Sequence, residues 1–302
     1  MRNNIVEKIT NSSLFICKND VFIQSEETIS MFDINKKEKE AMDRTVKVEK
    51  KSLTQLQDYY NNYSADKIVQ ENTLLIESIN RGDIAIDCGC GKGEYLKVLS
   101  SKFELVIAID LSLEAILYAK ETNKELNNII YVAGSMLDFY KVFNEPIANF
   151  CLSAEVVEHV PSPDEYLANM YSLLKKEGEL LISTPCQNLY FYPMQFFSML
   201  LTKPKTLYKL LTPLKYWYFA LDWHPAMSKK VFLNLLESHS FSVKSYSNFV
   251  PYYFDKLPLF LYIAKLLPSR YAYAFYKSFL EGYNSLITRL GFGIRQHTLV
   301  VK

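Results

Sequence analysis

An α/β protein built on a doubly wound, mostly parallel sheet is what three features of this chain predict. Apolar, strand-length runs alternate with stretches of helical apolar spacing from about residue 65 onward. A glycine-spaced turn, Asp87-x-Gly89-x-Gly91-x-Gly93, joins the first of these strands to the helix that follows. The next strand, LVIAID, ends in a carboxylate, Asp110. Strand-to-helix alternation of this kind places helices on both faces of the sheet and ligands at the carboxyl ends of the strands.

The elements follow in order. Strands are expected near 84–88, 105–110, 129–133, 148–153, 179–184, 242–248 and 295–301, seven in all. Helices are expected near 65–79, 94–101, 112–124, 164–175 and 229–239. Ser112 and Ser228 are placed to cap two of them, and Pro163-Asp164 marks the start of another. Before this core, SLFIC and DVFI suggest a small hairpin, and KKEKEAMDRTVKVEKK (36–51) reads as a solvated, charged connector. Tyr59, Tyr60 and Tyr63 either lid a ligand site or pack on the core.

The glycine turn carries most of the chemistry. Four of the nine glycines in 302 residues (Gly82, Gly89, Gly91, Gly93) fall within twelve positions. Such crowding implies a backbone that turns tightly or approaches a ligand closely. The spacing is not the G-x-G-x-x-G of dinucleotide sites, because the third glycine comes one residue early and Asp87 precedes the first. A carboxylate there repels pyrophosphate but suits an ammonium group, and Asp110 is able to accept both hydroxyls of a ribose. A ligand joining a cationic amino acid to a nucleoside fits, and S-adenosylmethionine is one. The competing reading is a glycine-rich turn with two solvated aspartates.

At this point the chain resembles the class I S-adenosylmethionine-dependent methyltransferases. DCGCGKG stands where that family has its first motif, and AIDLS where it has its ribose-binding acid. YVAGSM (131–136) resembles the segment flanking adenine, although the family often has Asp where this chain has Ser135. LSAEVVEHVPSPDEYL (152–167) and LLKKEGELLISTP (173–185) match the fourth- and fifth-strand segments. The resemblance implies a Rossmann-like methyltransferase fold of seven strands, the seventh antiparallel beside the sixth. It implies a cofactor site made by Asp87, Gly89, Cys90, Gly91, Gly93, Asp110, Leu111, Ser135, Met136 and Ala154. Residues 1–52 are then an N-terminal extension, and 53–302 the methyltransferase domain, with insertions at about 185–228 and 250–293.

Glu155, Glu158 and His159 follow the fourth strand at i, i+3 and i+4, which on a helical turn shares one face. His159 and Glu158 are the expected acid/base pair, since imidazole with its ordinary pKa near ~6.5 suits proton transfer from a hydroxyl. The segment is similar to the ubiquinone-pathway O-methyltransferases, in which E-x-x-E-H can hold a divalent cation. Glu155, Glu158 and His159 are therefore also candidate metal ligands, beside a structural role for Glu155. His224, in DWHP, is a further candidate for the pocket, whereas His239 and His297 look peripheral.

The insertions are aromatic. Residues 190–223 and 252–283 each hold eleven aromatics, together 22 of the chain's 43, interleaved with lysines. Either they rest on a membrane interface or they pack as a lid on the core or a partner. The expected acceptor is a lipophilic small molecule or lipid-linked intermediate methylated on oxygen. The alternatives are a glycan or polar metabolite as acceptor, and an inactive methyltransferase-like subunit that binds a partner. A net charge of +1 gives no global case for nucleic-acid binding. Five cysteines without a C-x-x-C pair suit a reduced cytoplasmic protein, peripheral on the membrane if the aromatic segments seek lipid. No apolar run reaches transmembrane length. The oligomeric state is not legible.

Overall fold

The computed structural model describes residues 1–25, 28, 68–187, 226–249, 285–286, 289–290, 293 and 295–302. The charged connector, Tyr59, Tyr60, Tyr63, His224 and both aromatic segments lie outside the described residues.

One nine-stranded mixed sheet organises the chain, with strand order β1-β2-β5-β4-β3-β6-β7-β9-β8. Five strands form its parallel centre: β3 (Gly82–Cys88), β4 (Phe103–Asp110), β5 (Ile129–Ala133), β6 (Ala148–Ala154) and β7 (Leu174–Pro185). Their apolar runs are buried on both faces, as expected of parallel strands covered by helices. At the far end β9 (Arg295–Val301) runs antiparallel between β7 and β8 (Ser242–Phe249), so the seventh predicted strand does lie antiparallel beside the sixth.

The sheet exceeds the seven expected strands because the N-terminal hairpin joins it. β1 (Phe15–Lys18) pairs antiparallel with β2 (Val21–Gln24), and β2 pairs parallel with β5. Asn19 and Asp20 both have positive φ, which closes the hairpin in two residues. Before it, α1 (Arg2–Asn11) buries Ile5 and Ile9 against the same core, a helix that the polar N-terminal sequence conceals.

The remaining helices are α2 (68–78), α3 (Leu96–Lys102), α4 (Leu113–Thr122), α5 (Met136–Phe139), α6 (Pro163–Leu173) and α7 (Lys229–Ser238). Both predicted serine caps form: Ser112 Oγ accepts from Ala115 N at 3.0 Å, and Ser228 Oγ from Val231 N at 3.4 Å. Ser162 caps α6 just before Pro163. Each cap satisfies a helix amide otherwise lacking a partner and stabilises by about 1 kcal/mol.

Candidate active site at the carboxyl edge of the sheet

The glycine turn leaves β3 with three left-handed glycines, Gly89 at φ 82°, Gly91 at φ 51° and Gly93 at φ 84°. Its amides do not point at a ligand, contrary to what a strand–turn–helix junction suggests. Gly89 N and Cys90 N both donate to Ile109 O, at 2.8 and 3.0 Å. Gly91 N donates to Asp110 Oδ2 at 2.9 Å, and Gly93 N to Cys90 O at 2.9 Å. A turn with three amides spent on the neighbouring strand and a fourth within itself is a poor phosphate cradle, which disfavours a pyrophosphate ligand. Gly89 is also fixed by packing: a Cβ there would lie 2.4 Å from Val156 Cγ2.

What the turn leaves open is a carboxylate. Asp87 is 1% exposed, and its Oδ2 has no hydrogen-bond partner among the described residues. Burial, and then the charges of Glu94 and Asp110, hold its carboxyl well above the usual range. A buried carboxyl with a spare oxygen beside two further acids is stabilised by an incoming cation. Asp110, also buried, accepts from Ser112 N at 2.8 Å as well as from Gly91 N. A carboxylate has about four lone-pair sites, so these two bonds leave room for a ribose hydroxyl.

The other predicted cofactor residues line the same edge. Cys90 is buried in the turn; it packs on one face of the sheet while Cys88 packs on the other, as spacers do. Leu111 is half-buried beyond Asp110. Ser135 and Met136 follow β5, where Ser135 Oγ caps α5 through Leu137 N at 3.2 Å and Met136 is the first residue of that helix. Ala154 ends β6.

The segment after β6 departs from expectation. Glu155 takes a left-handed φ of 58°, so 155–159 is an irregular turn and the three side chains do not share a helical face. Glu155 Oε2 instead meets Arg295 Nε at 2.7 Å. Glu158, 6% exposed, accepts from Thr184 Oγ1 at 2.9 Å and lies 3.9 Å from His159 Nε2. No group of three His, Cys, Asp or Glu side chains among the described residues is arranged to hold a metal ion. The candidate ligand set of Glu155, Glu158 and His159 is thus not assembled in the described residues, and Glu155 instead pairs with Arg295.

Burial and the nearby Glu155 push Glu158 up to about 8. Burial, and then Arg295, lower the His159 pKa, so its imidazole is neutral near pH 7. A neutral imidazole next to a carboxyl is able to accept a proton.

Sequence reasoning missed Arg295, Thr184 and a buried network. Asn72 Nδ2 donates to Tyr95 Oη at 3.0 Å and to Ser183 Oγ at 3.3 Å, while Asn72 Oδ1 faces His297 Nδ1 at 3.4 Å. His297 is not peripheral: it is 4% exposed, and burial lowers its pKa to about 4. Its place on β9 beside Ser183 explains this, and no local pattern announces it. His239 does sit outside the site, 3.2 Å from Asp164.

A methyltransferase domain model matches residues 79–238, more than half of the chain. The chain belongs to the class I S-adenosylmethionine-dependent methyltransferases. The chain is 28% identical over 132 residues to a malonyl-[acyl-carrier protein] O-methyltransferase of Marinomonas sp. (strain MWYL1), covering 42% of this chain and 48% of that protein. It is 32% identical over 108 residues to a ubiquinone biosynthesis O-methyltransferase of Glaesserella parasuis serovar 5, covering 34% and 45%. The chain thus spans about half the length of the curated relatives it matches. The fold is also similar to a solved complex between the Haloferax volcanii Trm112 methyltransferase activator and a methyltransferase. That match has a TM-score of 0.53 at 13% identity, over 86% of this chain and 96% of that one. Among the described residues, no helix is long and apolar enough to cross a membrane.

Proposed function

We propose that this protein transfers the methyl group of S-adenosylmethionine to an oxygen of a lipophilic small molecule or lipid-linked intermediate. The observation that carries the cofactor reading is the buried Oδ2 of Asp87, beside Asp110 and without a hydrogen-bond partner among the described residues. Asp87 receives the ammonium of the methionine moiety, and Asp110 accepts from the ribose hydroxyls while holding the glycine turn. When bound, the cofactor supplies an electrophilic methyl group on a sulfonium. His159, kept neutral by its surroundings, takes the proton from the acceptor hydroxyl. Glu158, whose Oε1 lies 3.9 Å from Nε2, faces the imidazolium with a carboxyl oxygen that eases its positive charge. The Arg295–Glu155 pair keeps the positive charge of Arg295 matched, so a neutral acceptor fits.

The acceptor class is supported by the two O-methyltransferase relatives and by the aromatic composition of 190–223 and 252–283. The cofactor half is tested by calorimetric titration. Asp110→Ala should weaken S-adenosylmethionine binding by ~1.5–3 kcal/mol, the scale of charge-assisted hydrogen bonds. Undiminished affinity would remove the ligand from this edge. Methyl transfer to hydroxylated aromatics with and without an isoprenoid tail tests the acceptor, and a preference for tail-free acceptors would overturn it.

A further inference from the structure

The N-terminal hairpin lies outside the segment that carries the family match, yet it reaches the candidate site. Gln24, the last residue of β2 and 4% exposed, has its whole amide engaged. Its Oε1 accepts from Ser135 N at 2.9 Å, and its Nε2 donates to Asp138 Oδ2 at 3.0 Å and to Thr28 O at 3.1 Å. Ser135 and Asp138 are each 2% exposed. One side chain from the hairpin thus spans both ends of the loop that follows β5.

The contact is close and runs on toward Asp110. A Cβ on Gly134 would lie 2.7 Å from the Phe15 ring and 2.8 Å from Gln24 Oε1, so glycine is what lets the hairpin dock. Gly134 N donates to Asp110 O at 2.8 Å. Phe15 packs edge-on against Phe139 of α5, with centroids 6.1 Å apart, adding a second hairpin contact to this segment.

Geometry says what this loop faces. Asp87 ends on β3, Asp110 on β4, and Gly134–Asp138 follows β5, three neighbouring strands about 4.8 Å apart. A ligand with its cationic end at Asp87 and its ribose at Asp110 continues, one strand further, onto the 134–138 loop with its base. We infer that the hairpin is part of the cofactor site and that Gln24 is a positioning residue, fixing the 134–138 loop against the base of the nucleoside. The inference rests on the reading of Asp87 and Asp110 as the cofactor's holders.

The test uses the full chain and calorimetry with S-adenosylhomocysteine and its inosine analogue, in which an oxo group replaces the adenine amine. Gln24→Ala should weaken S-adenosylhomocysteine about tenfold and shrink the preference for it over the inosine analogue, since the misplaced loop no longer reads the base. Asp110→Ala should weaken both ligands equally and keep the preference. Gln24→Glu preserves side-chain size but loses the donor to Asp138, and it should behave like Gln24→Ala. Adding Asp138→Asn returns a donor to that pair and should restore the preference. Variants that melt earlier yet bind both ligands as the wild type does would reduce Gln24 to a fold contact and overturn the inference alone. A wild type that binds neither ligand would overturn it together with the cofactor reading.

Discussion

At the end of β3, Asp87 keeps a buried oxygen without a partner among the described residues; at the end of the adjacent β6, Glu155 has a guanidinium 2.7 Å away. These neighbouring stretches of one sheet edge handle charge in opposite ways. On the β3–β4 side burial, and then the charges of Glu94 and Asp110, raise the proton affinity of Asp87, whose Oδ2 has no hydrogen-bond partner among the described residues. On the β6–β7–β9 side Arg295 offsets Glu155, Thr184 donates to Glu158, and the histidines are held neutral. A buried carboxyl pushed up by neighbouring acids favours a cationic ligand, whereas a charge-matched set favours a neutral one. The contrast is what an enzyme joining a sulfonium to an uncharged acceptor needs.

The sharpest way to separate the halves is His159→Ala. It should lower kcat by ~10²–10⁴-fold with cofactor affinity unchanged, in steady-state kinetics paired with calorimetry. A parallel loss of cofactor affinity would show that the two sides are not independent.

Gly89→Val strikes the seam between them. Valine must adopt a φ of 82° and place its Cβ within 2.4 Å of Val156 Cγ2. Strain and overpacking together should cost ~2–5 kcal/mol in urea unfolding. Val156→Ala in the same chain should return part of that loss, because the collision is with the acceptor-side turn. No recovery would assign the whole cost to the backbone.

The third test is a pH dependence on the acceptor side. Glu158 titrates near 8 in the folded chain against an ordinary value of 4.5. A raised pKa means that its contribution to stability is fully present below about 4.5 and is lost as pH rises through about 8. Glu158→Gln removes that titration, so its stability relative to wild type should climb with pH across this window. Urea midpoints at several pH values measure it, and a constant difference would mean that Glu158 is not held protonated.

The same division explains what the sequence discloses. Asp87, the glycines and Asp110 are legible because their geometry is local: a strand end, a turn, and the next strand's end. Ser112 and Ser228 are legible for the same reason, each capping three residues ahead. The hairpin is legible as a hairpin, but its docking is not, because Gln24 and Ser135 are 111 residues apart. Arg295 reaches Glu155 across still more of the chain, and nothing in RQHTLVV marks it as a partner. The expected helical face of Glu155, Glu158 and His159 fails through one left-handed residue, a conformation that glutamate rarely announces. The α1 helix escapes notice because only Ile5 and Ile9 of its ten residues are buried.

The position of β9 has a consequence during synthesis. Of the nine strands it leaves the ribosome last, yet its place is between β7 and β8, both already made. Until it arrives, β8 lacks its neighbour in the sheet, and the outer edge of β7 keeps a row of unpaired backbone donors and acceptors. Such pairings across long sequence separation form slowly, and open edges recruit foreign strands meanwhile. Arg295, His297 and the pairing edges of β7 and β8 are therefore completed in a single late insertion. A nascent chain stalled before that event can already carry the acids of β3 and β4, but not the matched half beside them.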